Sequence, residues 1–180
     1  METDFVADNM VNKLILLFVL EKMEIPLTEN SLLDICTSRN TWLGYMDCKE
    51  ILFQLIEAKF VYTPSETPKT QSRYNLTYEG RNCLSMFFQR IPLSLRENIT
   101  AFCKQNRTYF KRSQEYTAEY HKNTDGSYTV VFRINEPLIP DALLEIKIKT
   151  STRTSAIEAC KKWKDSAPNT YEHLFENLLT

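Results

Sequence analysis

Apolar residues recur at helical spacing three times in the first sixty positions before the pattern changes. The run Leu14-Ile-Leu-Leu-Phe-Val-Leu20 is apolar on every side, the mark of a helix buried all round. It predicts a first helix over residues 8–23, capped by Asp8 or Asn9 and stopped by Ile25-Pro26-Leu27. The run is far short of the ~20 apolar residues a membrane span needs. Acidic residues precede it, so it reads as a core helix and not as a signal peptide. Thr28 is placed to cap a second helix to about residue 38, with Glu29 and Asp34 near its positive end. A loop over 40–46 holds Gly44, and Asp47 is expected to cap a third helix ending near residue 59. Phe60-Val-Tyr62 and Arg73-Tyr-Asn-Leu76 are short β-type runs flanking a polar loop with two prolines, and Thr77 caps a fourth helix over about 79–89.

Helix, helix, helix, hairpin, helix is the order of a winged helix-turn-helix, which predicts that domain over residues 1–90. Ile91-Pro92 breaks the pattern, and a long connecting helix follows within 91–114, with Pro92 suited to its first turn. From Glu115 the period becomes two. Tyr116, Ala118 and Tyr120, then Val130, Phe132 and Ile134, then Leu144, Ile146 and Ile148 alternate with polar residues, and Asp125-Gly126 signals a hairpin. A three-stranded antiparallel meander with one polar face is expected, closed by two helices over about 154–165 and 168–179. Ile157, Cys160, Trp163, Leu174, Phe175 and Leu178 are expected to cover its apolar face. The fold class is therefore α+β, with a C-terminal β-β-β-α-α domain over 115–180.

Charge changes the functional picture more than the fold. The chain of 180 residues has 22 basic and 23 acidic side chains, formal net −1, so it is not a general nucleic-acid binder. Residues 1–90 hold 9 Lys/Arg against 12 Asp/Glu, and residues 91–180 hold 13 against 11. The half expected to contact DNA is the acidic half, although phosphate neutralisation supplies most non-specific affinity. The five cysteines are odd in number and widely spaced, which points to reduced thiols in a cytoplasmic protein.

No chemistry of an enzyme is visible. The three glycines, Gly44, Gly80 and Gly126, build no phosphate loop, dinucleotide fingerprint or nucleophile elbow. His121 and His173 have no neighbour at metal-ligand spacing. Catalytic residues, metal and cofactor are all expected to be absent. Tyr116, Tyr120, Tyr128, Phe132 and Trp163 read as core of the C-terminal sheet, with an effector pocket as the sharper alternative.

On a helical wheel of the third helix, Cys48, Ile51, Leu52, Leu55 and Ile56 face the core, and Glu50, Phe53, Gln54 and Glu57 face away. Tyr45, Lys49, Glu50, Phe53 and Gln54 are the candidate contacts to base edges. Gln54 can pair with adenine and Glu50 can accept from cytosine. Lys69 and Arg73 in the wing are the candidate phosphate contacts. On the long helix, Lys104, Arg107 and Lys111 form a basic stripe. Leu95, Ile99, Phe102, Asn106 and Tyr109 follow a 4-3-4-3 spacing. That stripe serves either as a dimer seam with one polar register position or as a face buried against the C-terminal sheet.

The chain resembles a bacterial family of uncharacterised proteins, domain of unknown function 4364. The resemblance rests on Asn12-Lys-Leu-Ile-Leu-Leu17, Leu76-Thr-Tyr-Glu-Gly-Arg81, Arg90-Ile-Pro92 and Cys160-x-x-Trp163-Lys164 with Pro168 and Tyr171. It implies a winged-helix N-terminal domain similar to PadR- and MarR-type regulators, which are commonly dimers. The leading expectation is accordingly a DNA-binding transcriptional regulator that recognises double-stranded DNA as a homodimer and dimerises or senses through its C-terminal half. The runner-up is a winged-helix module that binds a protein partner and no DNA.

Overall fold

The computed structural model describes residues 2–63, 72–136 and 141–179, with the backbone alone for residues 2–8. The chain divides into two compact units, Met1–Phe110 and Lys111–Thr180. The first contains α1 (Glu2–Met23), β1 (Leu27–Thr28), α2 (Glu29–Leu33), α3 (Tyr45–Glu57), β2 (Val61–Tyr62), β3 (Arg73–Leu76), α4 (Tyr78–Phe87) and most of α5 (Leu93–Glu115). The second contains the end of α5, then β4 (Tyr116–Lys122), β5 (Tyr128–Ile134), β6 (Leu144–Thr150) and α6 (Arg153–Leu179).

In the first unit α1 is the central element. Every residue from Leu14 to Leu20 is buried, and Leu16, Val19 and Met23 are wholly so. The helix begins well before residue 8, so Asp8 and Asn9 lie inside it and do not cap it. It ends at Glu24, whose φ of 55° is a left-handed turn that stops helical hydrogen bonding. Thr28 caps α2 as expected, its Oγ1 accepting from the Ser31 N–H at 3.2 Å. Regular α-helix gives way at Asp34 to a wider π-helical turn, Asp34–Arg39. One strand was not foreseen. Leu27 and Thr28 pair with Tyr74 and Arg73, so the hairpin becomes a three-stranded antiparallel sheet in the order β1-β3-β2. A two-residue strand carries no periodic signal, and only the approach of β3 creates it.

The third helix starts two residues before the expected cap. Gly44 is its N-cap in extended conformation, and Asp47 sits in the first turn near the positive helix end. The other end is a Schellman motif. Phe60 N–H donates to the Leu55 carbonyl at 2.9 Å and Lys59 N–H to that of Ile56 at 3.0 Å, with Lys59 at φ 59°.

The second unit is a meander in the order β4-β5-β6 in full antiparallel register from Tyr116↔Ile134 to Tyr128↔Thr150. Its core holds Val130, Phe132, Ile134, Ala156, Trp163 and Ala167. Phe132 and Trp163 pack at 4.9 Å between ring centroids, and the indole N–H donates to the Arg133 carbonyl. Two expectations fail here. The closing helices are one continuous helix with Pro168 inside it. Its sheet-facing stripe, Ala156, Cys160, Trp163, Ala167 and Tyr171, runs through the proline without a break, and that packing outweighs the local cost of Pro. Leu174, Phe175 and Leu178 do not join this core. Phe175 and Leu178 are exposed, and the wholly buried alanines 156 and 167 let the helix sit close to the strands instead.

Candidate interaction surface on the third helix

Helix α3 keeps the amphipathic split that its sequence predicts. Cys48, Ile51, Leu52 and Leu55 are buried. The outward face carries Tyr45, Met46 and Phe53, which are 53%, 73% and 61% exposed. Around them stand the exposed acids Asp47, Glu50 and Glu57. Large side chains this exposed on one helix form an apolar patch with an acidic border.

The candidate DNA contacts are placed unequally. Tyr45, Glu50 and Phe53 are accessible on that face. Lys49, the one cation of the helix, is ion-paired with Glu29 at 3.0 Å and lies 5.6 Å from the Tyr45 ring centroid. Its ammonium is held above its ordinary range, first by Glu29. Gln54 is half-buried and donates to Glu50 at 3.0 Å, so both base-reading candidates are engaged with each other. Arg73 is only 9% exposed and sits in β3 opposite Thr28, so it is a strand residue and not an accessible phosphate contact. Lys69 lies outside the described residues. Met46 precedes the helix that the sequence predicts from Asp47, so a helical wheel of that helix does not place it on this face.

The long helix is likewise used inside its own unit. Ile99 is fully buried, and Leu95 and Phe102 pack on the same core. Phe102 meets Trp42 edge-on at 5.6 Å, and Asn106 donates to its carbonyl at 2.9 Å. Tyr109 alone of the stripe is exposed, with the Arg39 guanidinium 4.6 Å from its ring centroid. Three of the five positions, Leu95, Ile99 and Phe102, thus pack in the core of the first unit. Arg107 leaves the basic stripe too. It pairs with Glu24 and donates to the Lys22 carbonyl at 3.0 Å, closing the C-terminal end of α1.

The segment Leu76-Thr-Tyr-Glu-Gly-Arg81 proves architectural. Thr77 Oγ1 accepts from Gly80 N–H at 3.0 Å and donates to the Lys59 carbonyl at 2.7 Å, while Thr77 N–H donates to the Phe60 carbonyl. A Cβ on Gly80 would stand 2.1 Å from that Phe60 oxygen, so only glycine lets α4 approach the end of α3. Arg81 pairs with Glu21 at 3.3 Å.

All five thiols are free. Cys36 is held well above the ordinary thiol range, first by its hydrogen bond with Cys48 and then by burial, and burial pushes Cys103 up to about 12. Such thiols are poor nucleophiles. Among the described residues no group of three His, Cys, Asp or Glu side chains is placed to hold a metal ion, and no helix is long and apolar enough to cross a membrane.

These features define an α+β protein of two compact units, the first of which presents an aromatic and acidic helix. The chain belongs to the family described as domain of unknown function (DUF4364), whose model matches residues 12–178. No curated protein and no solved structure matches it.

Proposed function

We propose that the first unit is a winged-helix interaction module whose third helix docks a protein segment in which basic side chains flank apolar ones. The observation that carries this reading is the outward face of α3, where Tyr45, Met46 and Phe53 lie among Asp47, Glu50 and Glu57 and the sole cation is already paired with Glu29. Tyrosine, methionine and phenylalanine are residues enriched in protein interfaces, and the acids supply steering and register toward a basic partner. The same face opposes a duplex, which carries one negative charge per ~1.7 Å of its axis.

A second reading is a transcriptional regulator bound to double-stranded DNA. It is favoured by the order of elements, with a hairpin directly after α3, and by the family resemblance to regulators. In it Glu50 and Gln54 exchange their mutual hydrogen bond for base edges, and Lys69 contacts phosphate. Self-association is assigned to the end of α6, where Phe175, Leu178 and Leu179 are exposed, and not to the buried stripe of α5.

The two readings separate in one experiment. A photo-crosslinking amino acid at Phe53 is expressed in the host, and purified protein is separately incubated with sheared host DNA at two salt concentrations. A discrete protein crosslink that disappears with Glu50→Lys and Glu57→Lys, without DNA enrichment, supports docking. Enrichment of a palindromic site, with retention falling as salt rises, overturns it in favour of the regulator.

A further inference from the structure

The first unit carries a groove of about 420 Å³ between α1 and α5, on residues that the reading of α3 does not use. Its volume lies within the ~300–1,000 Å³ of small-molecule sites. Phe18 and Phe88 form apolar walls, and Lys22, Arg96 and Lys104 line it together with one acid, Glu97. The unit is close to neutral, with 12 Lys/Arg and 13 Asp/Glu over residues 1–110, yet three cations meet here. None of them makes an ion pair or a side-chain hydrogen bond with a described residue, whereas Arg39, Arg81 and Arg107 nearby in the same unit are all paired with carboxylates.

Two of the three are held in place without having their charge neutralised. The Arg96 guanidinium lies 5.2 Å from the Phe88 ring centroid and the Lys22 ammonium 5.2 Å from that of Phe18. Aromatic faces orient a cation at modest energetic gain and leave its hydrogen-bond donors available. Cations left without carboxylate partners beside apolar side chains are the ordinary recipe for holding an anionic head on an apolar body.

We infer that this groove binds a small amphipathic organic anion, its carboxylate or phosphate head held by Lys22, Arg96 and Lys104 and its apolar body against Phe18 and Phe88. The inference does not depend on what α3 contacts.

The probes are sodium octanoate and octyl phosphate, with 1-octanol and octylamine as neutral and cationic controls, titrated into isotopically labelled full-length protein and followed by NMR. Saturable shifts at the amides of Phe18, Lys22, Thr100 and Ala101 are expected with octanoate and with octyl phosphate, and none with octylamine. Losing a charge-assisted hydrogen bond makes Arg96→Gln bind octanoate about tenfold or more weakly, and Lys104→Gln adds to that loss. Arg96→Lys retains part of the affinity, which a merely structural role for Arg96 does not predict. The inference is overturned by the absence of saturation below about 10 mM octanoate. It is equally overturned by octanol binding as well as octanoate, or by unchanged binding in a folded Arg96→Gln variant.

Discussion

Replacing Gly80 by alanine tests whether the junction between α3, the small sheet and α4 is set by backbone contact. Considered locally, the change stabilises, because alanine is favoured over glycine inside a helix by about 1 kcal/mol. The tertiary setting reverses the sign. The new Cβ would lie 2.1 Å from the Phe60 carbonyl oxygen and 3.0 Å from its carbon, and backbone cannot swing aside as a side-chain end can. The first turn of α4 must retreat by about 1 Å or more, with a packing cost of about 1–3 kcal/mol. Retreat also stretches the hydrogen bonds from Thr77 to the Phe60 and Lys59 carbonyls, at 3.0 and 2.7 Å, worth about 1 kcal/mol each. Subtracting the propensity gain leaves a net loss of about 2–4 kcal/mol. Amide hydrogen exchange at Leu16 and Val19, in the most buried helix of the unit, reads this directly, as a rate increase of about thirty- to a thousand-fold. Gly44→Ala is the control. Its Cβ meets only the movable Asp47 carboxylate at 2.8 Å, so exchange changes by less than about threefold. Unchanged or slower exchange in Gly80→Ala, or an equal effect of Gly44→Ala, refutes the argument.

Three other outcomes are expected. Lys59 occupies a left-handed conformation with no side-chain partner among the described residues, so Lys59→Gly stabilises the first unit by about 0.5–1 kcal/mol in urea unfolding, and destabilisation contradicts the Schellman assignment. Ile99→Ala lowers stability by about 2–4 kcal/mol at every protein concentration, because the side chain is buried within its own unit; a concentration-dependent loss restores the dimer seam. The Asp125 carboxyl is lowered from 3.8 to about 2, first by the Ser127 hydroxyl, then by the Ser127 backbone N–H and Lys149. A depressed carboxylate adds stability above the unfolded value and loses it as pH falls, so Asp125→Asn flattens the stability of the second unit between about pH 4 and 2. A carboxyl titration by NMR near pH 4 in the native protein contradicts it.

Periodicity and end signals carried most of the fold. The helical runs, the caps at Thr28 and Thr77, the alternation of the meander and the Asp125-Gly126 turn each depend on residues within a few positions of one another, and each is present. The burial of one face of α3 was legible for the same reason. Element ends were less so. Asp47 is a good cap residue, but Gly44 holds the cap position and Asp47 is equally favourable in the first turn. Pro168 is a reliable local stop that a continuous packed stripe overrode.

The candidate sites divide along the same line. The apolar and acidic face of α3 follows from thirteen consecutive residues, so the sequence alone determined it. Which of its charges remain available did not follow, because the partner of Lys49 comes from α2 and Arg73 is buried by pairing with β1. The stripe on α5 has the spacing of a seam whatever lies against it, and only the tertiary structure decided that Leu95, Ile99 and Phe102 pack in the first unit's core. The cationic groove joins residues of α1 and α5 more than seventy positions apart, and of its three cations only Lys104 belongs to a pattern visible in its own segment. Local patterns fix which side of an element turns inward, since burying apolar area is favourable against any apolar neighbour. They do not fix which neighbour arrives, and the pairing of charges depends on that neighbour.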